Sequence, residues 1–124
     1  MSYTCRYCGK PATIRDSAEI YHGRSFGMAL ICTGYPACDS FVGCHKDTGL
    51  PKGSLANAET REWRKRAHAA FDPVWRGPQR KWDRGTAYCW LQNEMGLIPR
   101  ECHIGLFDRQ QCEQVLALVR NLAP

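Results

Sequence analysis

The chain is short of long apolar runs. Nowhere in its 124 residues is there a stretch of roughly 18 consecutive apolar residues, the length a membrane helix needs, so no membrane partner is expected. A leader pattern is missing too. Met1-Ser2-Tyr3-Thr4-Cys5 has neither a charged n-region nor an apolar h-region. The expected location is therefore the cytoplasm, where a reducing medium leaves a disulfide framework without support. Several catalytic signatures are also absent. There is no His-x-x-x-His, no HNH-like run and no pair of carboxylates at useful spacing. Without a complete constellation of catalytic groups, the balance is against an enzyme.

Acidic residues are the scarcer charge, 12 against 17 basic, for a net charge of +5. Where the excess sits matters more than its size. Residues 1–50 carry five basic and four acidic side chains, residues 51–84 nine and four, and residues 85–124 three and four. The excess thus lies in the middle third. A concentrated basic region is the usual electrostatic footprint for phosphates, with a merely solvated helix face as the plainer alternative.

Cysteine is what the chain has in quantity, with eight residues. Cys5-Arg6-Tyr7-Cys8-Gly9 is one tight knuckle, and Cys32-Thr33-Gly34-Tyr35-Pro36-Ala37-Cys38 is a wider one. Two cysteines at such spacing aim their sulfurs at one point, and a second pair completes a tetrahedron around zinc. Gly9 suits the open backbone after the first pair. We read Cys5, Cys8, Cys32 and Cys38 as the ligands of one structural Zn2+. Four thiolates leave no open position for catalysis. The plainer alternative, four cysteines acting as small buried hydrophobes, does not account for the knuckle spacing.

These knuckles, with the polar segment between them and Gly27 leading into the second, resemble the C-terminal zinc ribbons of bacterial type I topoisomerases. The resemblance covers about a third of the chain. It implies a small antiparallel ribbon that touches single-stranded DNA. The rest, from Gly43-Cys44-His45 through Ala67-His68-Ala69-Ala70-Phe71-Asp72 to Cys102-His103-Ile104-Gly105, looks like a family of small phage and prophage proteins described as a zinc-finger-containing domain of unknown function. That second resemblance spans nearly the whole chain and implies a fold and a bacterial host, not an activity.

Between the knuckles, Thr13-Ile14-Arg15, Glu19-Ile20-Tyr21 and residues 26–31 alternate weakly, which predicts two or three short strands pinned by the metal. Tyr3, Tyr7, Tyr21, Phe26 and Tyr35 either build the ribbon's small core or stack on unpaired bases. Phe41-Val42 reads as a last strand and residues 46–53 as loop. A helix is expected over residues 54–72, capped by Ser54 or Asn57 and ended by Pro73. Trp63, Ala67, Ala70, Phe71 and Val74 fall on its inner side, and Arg61, Arg64, Lys65 and His68 on its outer side. Residues 73–85 form a loop of Trp, Arg and Pro in which Trp75 and Trp82 are candidate anchors. A second helix spans 85–96, started by Asp83 or Thr86 and closed by Gly96. A third starts at Asp108, which makes a capping box with Gln111 and carries Cys112 on its apolar stripe.

The fold expected is α+β: a four-cysteine zinc ribbon over residues 1–45 packed on a bundle of about three helices over 54–124, as one compact unit. The function expected is binding of nucleic acid, DNA in double- or single-stranded form, with Arg61, Arg64, Lys65, His68, Arg80, Lys81 and Arg84 holding phosphates. Two alternatives remain open. One is an inhibitor or adaptor that binds a host protein. The other is a metal-dependent nuclease that builds a second site from His45, His68 and His103. Asp72 is placed to cap or to pair with Arg76 or Arg80.

Overall fold

The computed structural model describes residues 3–122. It divides at Ala58/Glu59 into two compact units. The chain is α+β, with strands in the first unit and helices in the second. No helix among the described residues is long and apolar enough to cross a membrane.

The first unit is a four-stranded antiparallel sheet in the order β1-β2-β3-β4. Its strands are β1 Tyr3–Thr4, β2 Pro11–Asp16, β3 Met28–Cys32 and β4 Phe41–Gly43. Register runs Tyr3 opposite Ala12, Ala12 opposite Cys32, and Leu30 opposite Val42. Strand β3 organises the sheet because both of its faces are covered. Successive side chains point to opposite faces, and residues Ala29 to Cys32 serve two separate small cores. Leu30 and Cys32 join Cys5, Ala12 and Leu55 on one side. Ala29 and Ile31 join Ile20 on the other, flanked by Tyr35 and Phe41. Residues beyond β4 complete the unit through bridges of Phe41 with Ala56 and Cys44 with Pro51.

Around Glu19-Ile20-Tyr21 the expected strand gives way to a 3-10 turn over Ser17–Glu19. Local side-chain chemistry decides this. The Ala18 N–H donates to Asp16 Oδ1 at 2.8 Å, and the Phe26 N–H donates to Ser17 Oγ at 2.8 Å. Short polar side chains here offer the backbone an alternative to the ladder.

In the second unit, helix α1 spans Ala58–Trp75, α2 Arg84–Met95 and α3 Arg109–Arg120. Two 3-10 turns, Pro99–Glu101 and Ile104–Leu106, lie between α2 and α3. Helix α1 starts later than residue 54, and Pro73 does not end it but lies inside it. Pro73 has no N–H to donate to the Ala69 carbonyl one turn back, and the helix runs only two residues past it. The chain then closes on Val74, whose carbonyl accepts from the Lys81 and Trp82 amides at 2.8 and 3.1 Å. Helix α2 has the expected ends. Asp83 accepts from the Thr86 N–H at 2.8 Å, and Gly96 takes the left-handed conformation at φ 67°. Asp108 and Gln111 form the capping box that opens α3.

One core joins these helices. Ala67, Phe71 and Val74 from α1 meet Ala87 and Leu91 from α2 and Cys112 and Val115 from α3. Ile104 and Phe107, from the turn before α3, fill the centre. Trp75 and Trp82 both pack against this core, so each anchors the loop between them.

Candidate functional site

The metal centre is built at the ends of strands. Cys5 follows β1, and the chain turns back into β2 with the Gly9 N–H donating to the Cys5 carbonyl at 2.9 Å and the Cys5 N–H to that of Lys10 at 2.8 Å. Gly9 adopts φ 78°, a conformation that glycine takes readily and other residues resist. Cys32 ends β3. After it the Tyr35 N–H donates to the Cys32 carbonyl at 3.0 Å, and the Cys38 N–H to that of Gly34 at 3.0 Å. The Tyr35–Pro36 peptide in this turn is cis. A Cβ on Gly34 would lie 3.2 Å from Lys10 Cδ and 3.6 Å from Cys32 Sγ, so the second knuckle passes close behind its own sulfur.

All four sulfurs lie within 4.8 Å of one another. Cys5 Sγ is 3.6 Å from Cys38 Sγ, and Cys8 Sγ is 3.4 Å from Cys32 Sγ. A tetrahedron with Zn–S bonds of about 2.3 Å has edges of about 3.8 Å, close to this spacing. A disulfide would need about 2.05 Å, far less. The environment also suits thiolates. Burial opposes charge on Cys5, but the backbone N–H groups of Tyr7 and Cys8 point at its sulfur, helped by Ser40 and Cys38, and bring its pKa down to about 6. Cys32 behaves oppositely. Burial and the crowding sulfurs of Cys8, Cys38 and Cys5 push it up to about 12, against one hydrogen bond from the Gly34 N–H. Four thiols this close cannot all ionise unaided, and a dication at their centre is what lets them. The residues therefore fit one structural zinc in a closed site.

A family model for a zinc-finger-containing domain matches residues 1–122. The chain belongs to the zinc-finger-containing domain family. No curated protein and no solved structure matches it.

Elsewhere in this zinc-finger-containing domain, the structure sorts the basic residues. Arg64 is a correction. It is buried, and its Nε donates to the Phe107 carbonyl at 2.8 Å, so it ties α1 to the turn before α3 and does not face solvent. Its spacing to Ala67, Phe71 and Val74 (i+3, i+7, i+10) places it on the apolar stripe, which is the signal that finds it. Lys65, Arg80, Lys81 and Arg84 are exposed, while Arg61 is half-buried. His68 is exposed and lies 3.4 Å from Asp72 across one helical turn, so Asp72 faces His68 as its side-chain neighbour.

Around the loop the cations lie over aromatic rings. The Arg84 guanidinium stands 4.7 Å from the Tyr88 ring centroid and 5.5 Å from that of Trp75. The Lys81 ammonium is 5.7 Å from Trp82. Arg76, absent from the expected phosphate set, is 4.5 Å from Trp75. The adjacency Trp75-Arg76 in a basic loop is the signal that could have found it. Arg76, Lys81 and Arg84 form no ion pair among the described residues.

Among the described residues, His45, His68 and His103 belong to no group of three or more side chains whose ligand atoms converge. His45 belongs to the first unit, and His68 and His103 to the second. Among the described residues, the four cysteines are the one group of three or more His, Cys, Asp or Glu side chains whose ligand atoms converge. Cys44, Cys102 and Cys112 are buried, and burial raises each thiol's pKa, to about 11 for Cys112. They are packing residues.

Proposed function

We propose that this protein binds nucleic acid through the C-terminal end of α1, the loop after it and the start of α2. The observation that carries the reading is the set of guanidinium and ammonium groups laid over Trp75, Trp82 and Tyr88, free of carboxylate partners among the described residues. Aromatic contact holds these cations in place without neutralising them. They remain able to meet phosphates, with Arg suited to two-pronged contact. Lys65, one helical face away from the core, extends the same charge along α1. In the zinc unit, Phe26 is 62% exposed and Tyr21 44%, which supports a supplementary role for the ribbon in stacking on unpaired bases.

The test is a salt titration of binding to labelled single- and double-stranded DNA. Binding is expected to weaken steeply with salt, with a log–log slope of about 0.7–0.9 per phosphate contact. The double variant Arg80→Ala/Lys81→Ala is expected to flatten that slope by one to two contacts. No binding at low ionic strength would overturn the reading. A second reading, an adaptor for a host protein, is favoured by the exposed ribbon side chains Phe26, Met28 and Leu50. It predicts a stoichiometric protein complex that is insensitive to salt and lost on Phe26→Ala.

A further inference from the structure

A groove of about 320 Å³ in the helical unit is lined by Arg84, Tyr88, Gln92, Arg100, Cys102 and His103, together with Pro99. Its volume is at the lower end of small-molecule pockets. One wall is a stripe of α2, because Arg84, Tyr88 and Gln92 repeat at i, i+4 and i+8. The other wall is the segment from Pro99 to His103, which opens with the 3-10 turn Pro99–Glu101. Buried Cys102, with Pro99, supplies the apolar part of the lining. The lining holds two guanidinium groups, one imidazole, one phenol and one amide, and no carboxylate. Neither Arg84 nor Arg100 forms an ion pair among the described residues. Arg84 is further held by its place over the Tyr88 ring.

We infer that this groove binds a phosphomonoester, the phosphate at the end of a nucleic-acid strand. The charge count selects the ligand. An internal phosphodiester carries one negative charge, whereas a phosphomonoester carries about 1.5 to 2 at pH 7. Two arginines with a histidine beside them match the larger charge. Size agrees with this choice. The volume exceeds what a bare phosphate fills and leaves room for the attached sugar. Tyr88 and Gln92 are the groups able to hydrogen-bond sugar hydroxyls. This inference rests on the nucleic-acid reading above for its source of ligand; a free nucleoside monophosphate presents the same chemistry.

The experiment compares fluorescence anisotropy of one labelled oligonucleotide in three forms, with a 5′-phosphate, with a 3′-phosphate, and with hydroxyls at both ends. At least one phosphorylated form is expected to bind about tenfold more tightly than the hydroxyl form, which corresponds to about 1.4 kcal/mol. Arg100→Gln, a change at an exposed position, is expected to erase that difference and leave the hydroxyl form unaffected. Equal affinity of all three forms for the unaltered protein would overturn the inference. Should none of them bind at low salt, the nucleic-acid reading fails by itself. The groove is then read by amide NMR with adenosine monophosphate and inorganic phosphate as probes. Shifts confined to residues 84–103 and lost in Arg100→Gln would uphold the groove with a free nucleotide as its ligand. No shifts at millimolar probe would end it.

Discussion

The two units solve the same problem with different materials. The helical unit buries ten core residues in one cluster around Phe71, Phe107, Leu91 and Ile104. The strand unit splits its interior over two faces of one sheet, with five buried residues on one and three on the other, and two of the five are zinc ligands. Apolar burial yields about 25 cal/mol per Å², and clusters that small cannot offset the entropy of ordering more than fifty residues at over 1 kcal/mol each. Zinc coordination supplies what the strand unit lacks. In the strand unit the metal takes the place of a core.

Removing the metal should separate the behaviour of the two units most widely. Chelation, or Cys32→Ser, is expected to collapse the amide NMR dispersion of residues 3–57 while the helical amides keep theirs, since zinc supplies about 10–16 kcal/mol in small structural sites. Simultaneous loss of both sets would show that the units do not stand separately. Next in size, Phe71→Ala should cost the helical unit about 3–5 kcal/mol in denaturant unfolding, with zinc content by mass spectrometry unchanged. Arg64→Ala should cost about 1.5–3 kcal/mol, because it strands the Phe107 carbonyl in the interior. A surface arginine would cost far less, so this value separates the two kinds of basic residue on α1.

The smallest effect is a pH dependence. Hydrogen bonds from the Thr86 N–H and the Thr86 hydroxyl hold the Asp83 carboxyl below its usual range. Its folded pKa is depressed, so its contribution is complete above the unfolded value of about 3.9 and fades as pH falls towards the folded one. The melting difference between the unaltered protein and Asp83→Ala, followed by helical circular dichroism, should therefore shrink between pH 6 and about pH 3. A difference that grew on acidification would contradict that sign.

Much of the fold is legible in the sequence because it depends on short-range chemistry. The knuckles at Cys5-Cys8 and Cys32-Cys38, the Asp83 and Asp108 caps and the Gly96 terminus are all fixed by residues a few positions apart. Three features are hidden for different reasons. Arg64 reads as surface when charge is weighed before angular position, though it shares a stripe with Ala67 and Phe71. Pro73 reads as a terminus because the local rule describes the residue before proline, whereas closure on Val74 holds the last turn in place. The groove beside Arg100 and His103 depends on a fold-back from α2 to the Pro99–Glu101 turn, and no periodicity announces that.

The position of Cys8 has one more consequence. It is the exposed member of the four ligands, beside buried Cys5 and Cys32. That accessible sulfur gives a bound zinc a route to the surrounding medium, so the strand unit's stability should follow free zinc by mass action. Each tenfold fall in free zinc should lower that unit's stability by about 1.4 kcal/mol until the site empties. The helical unit, whose described residues hold no converging ligand group, is expected not to respond to the same change. Within one short chain, then, the supply of a metal is expected to govern one half of the fold and leave the other alone.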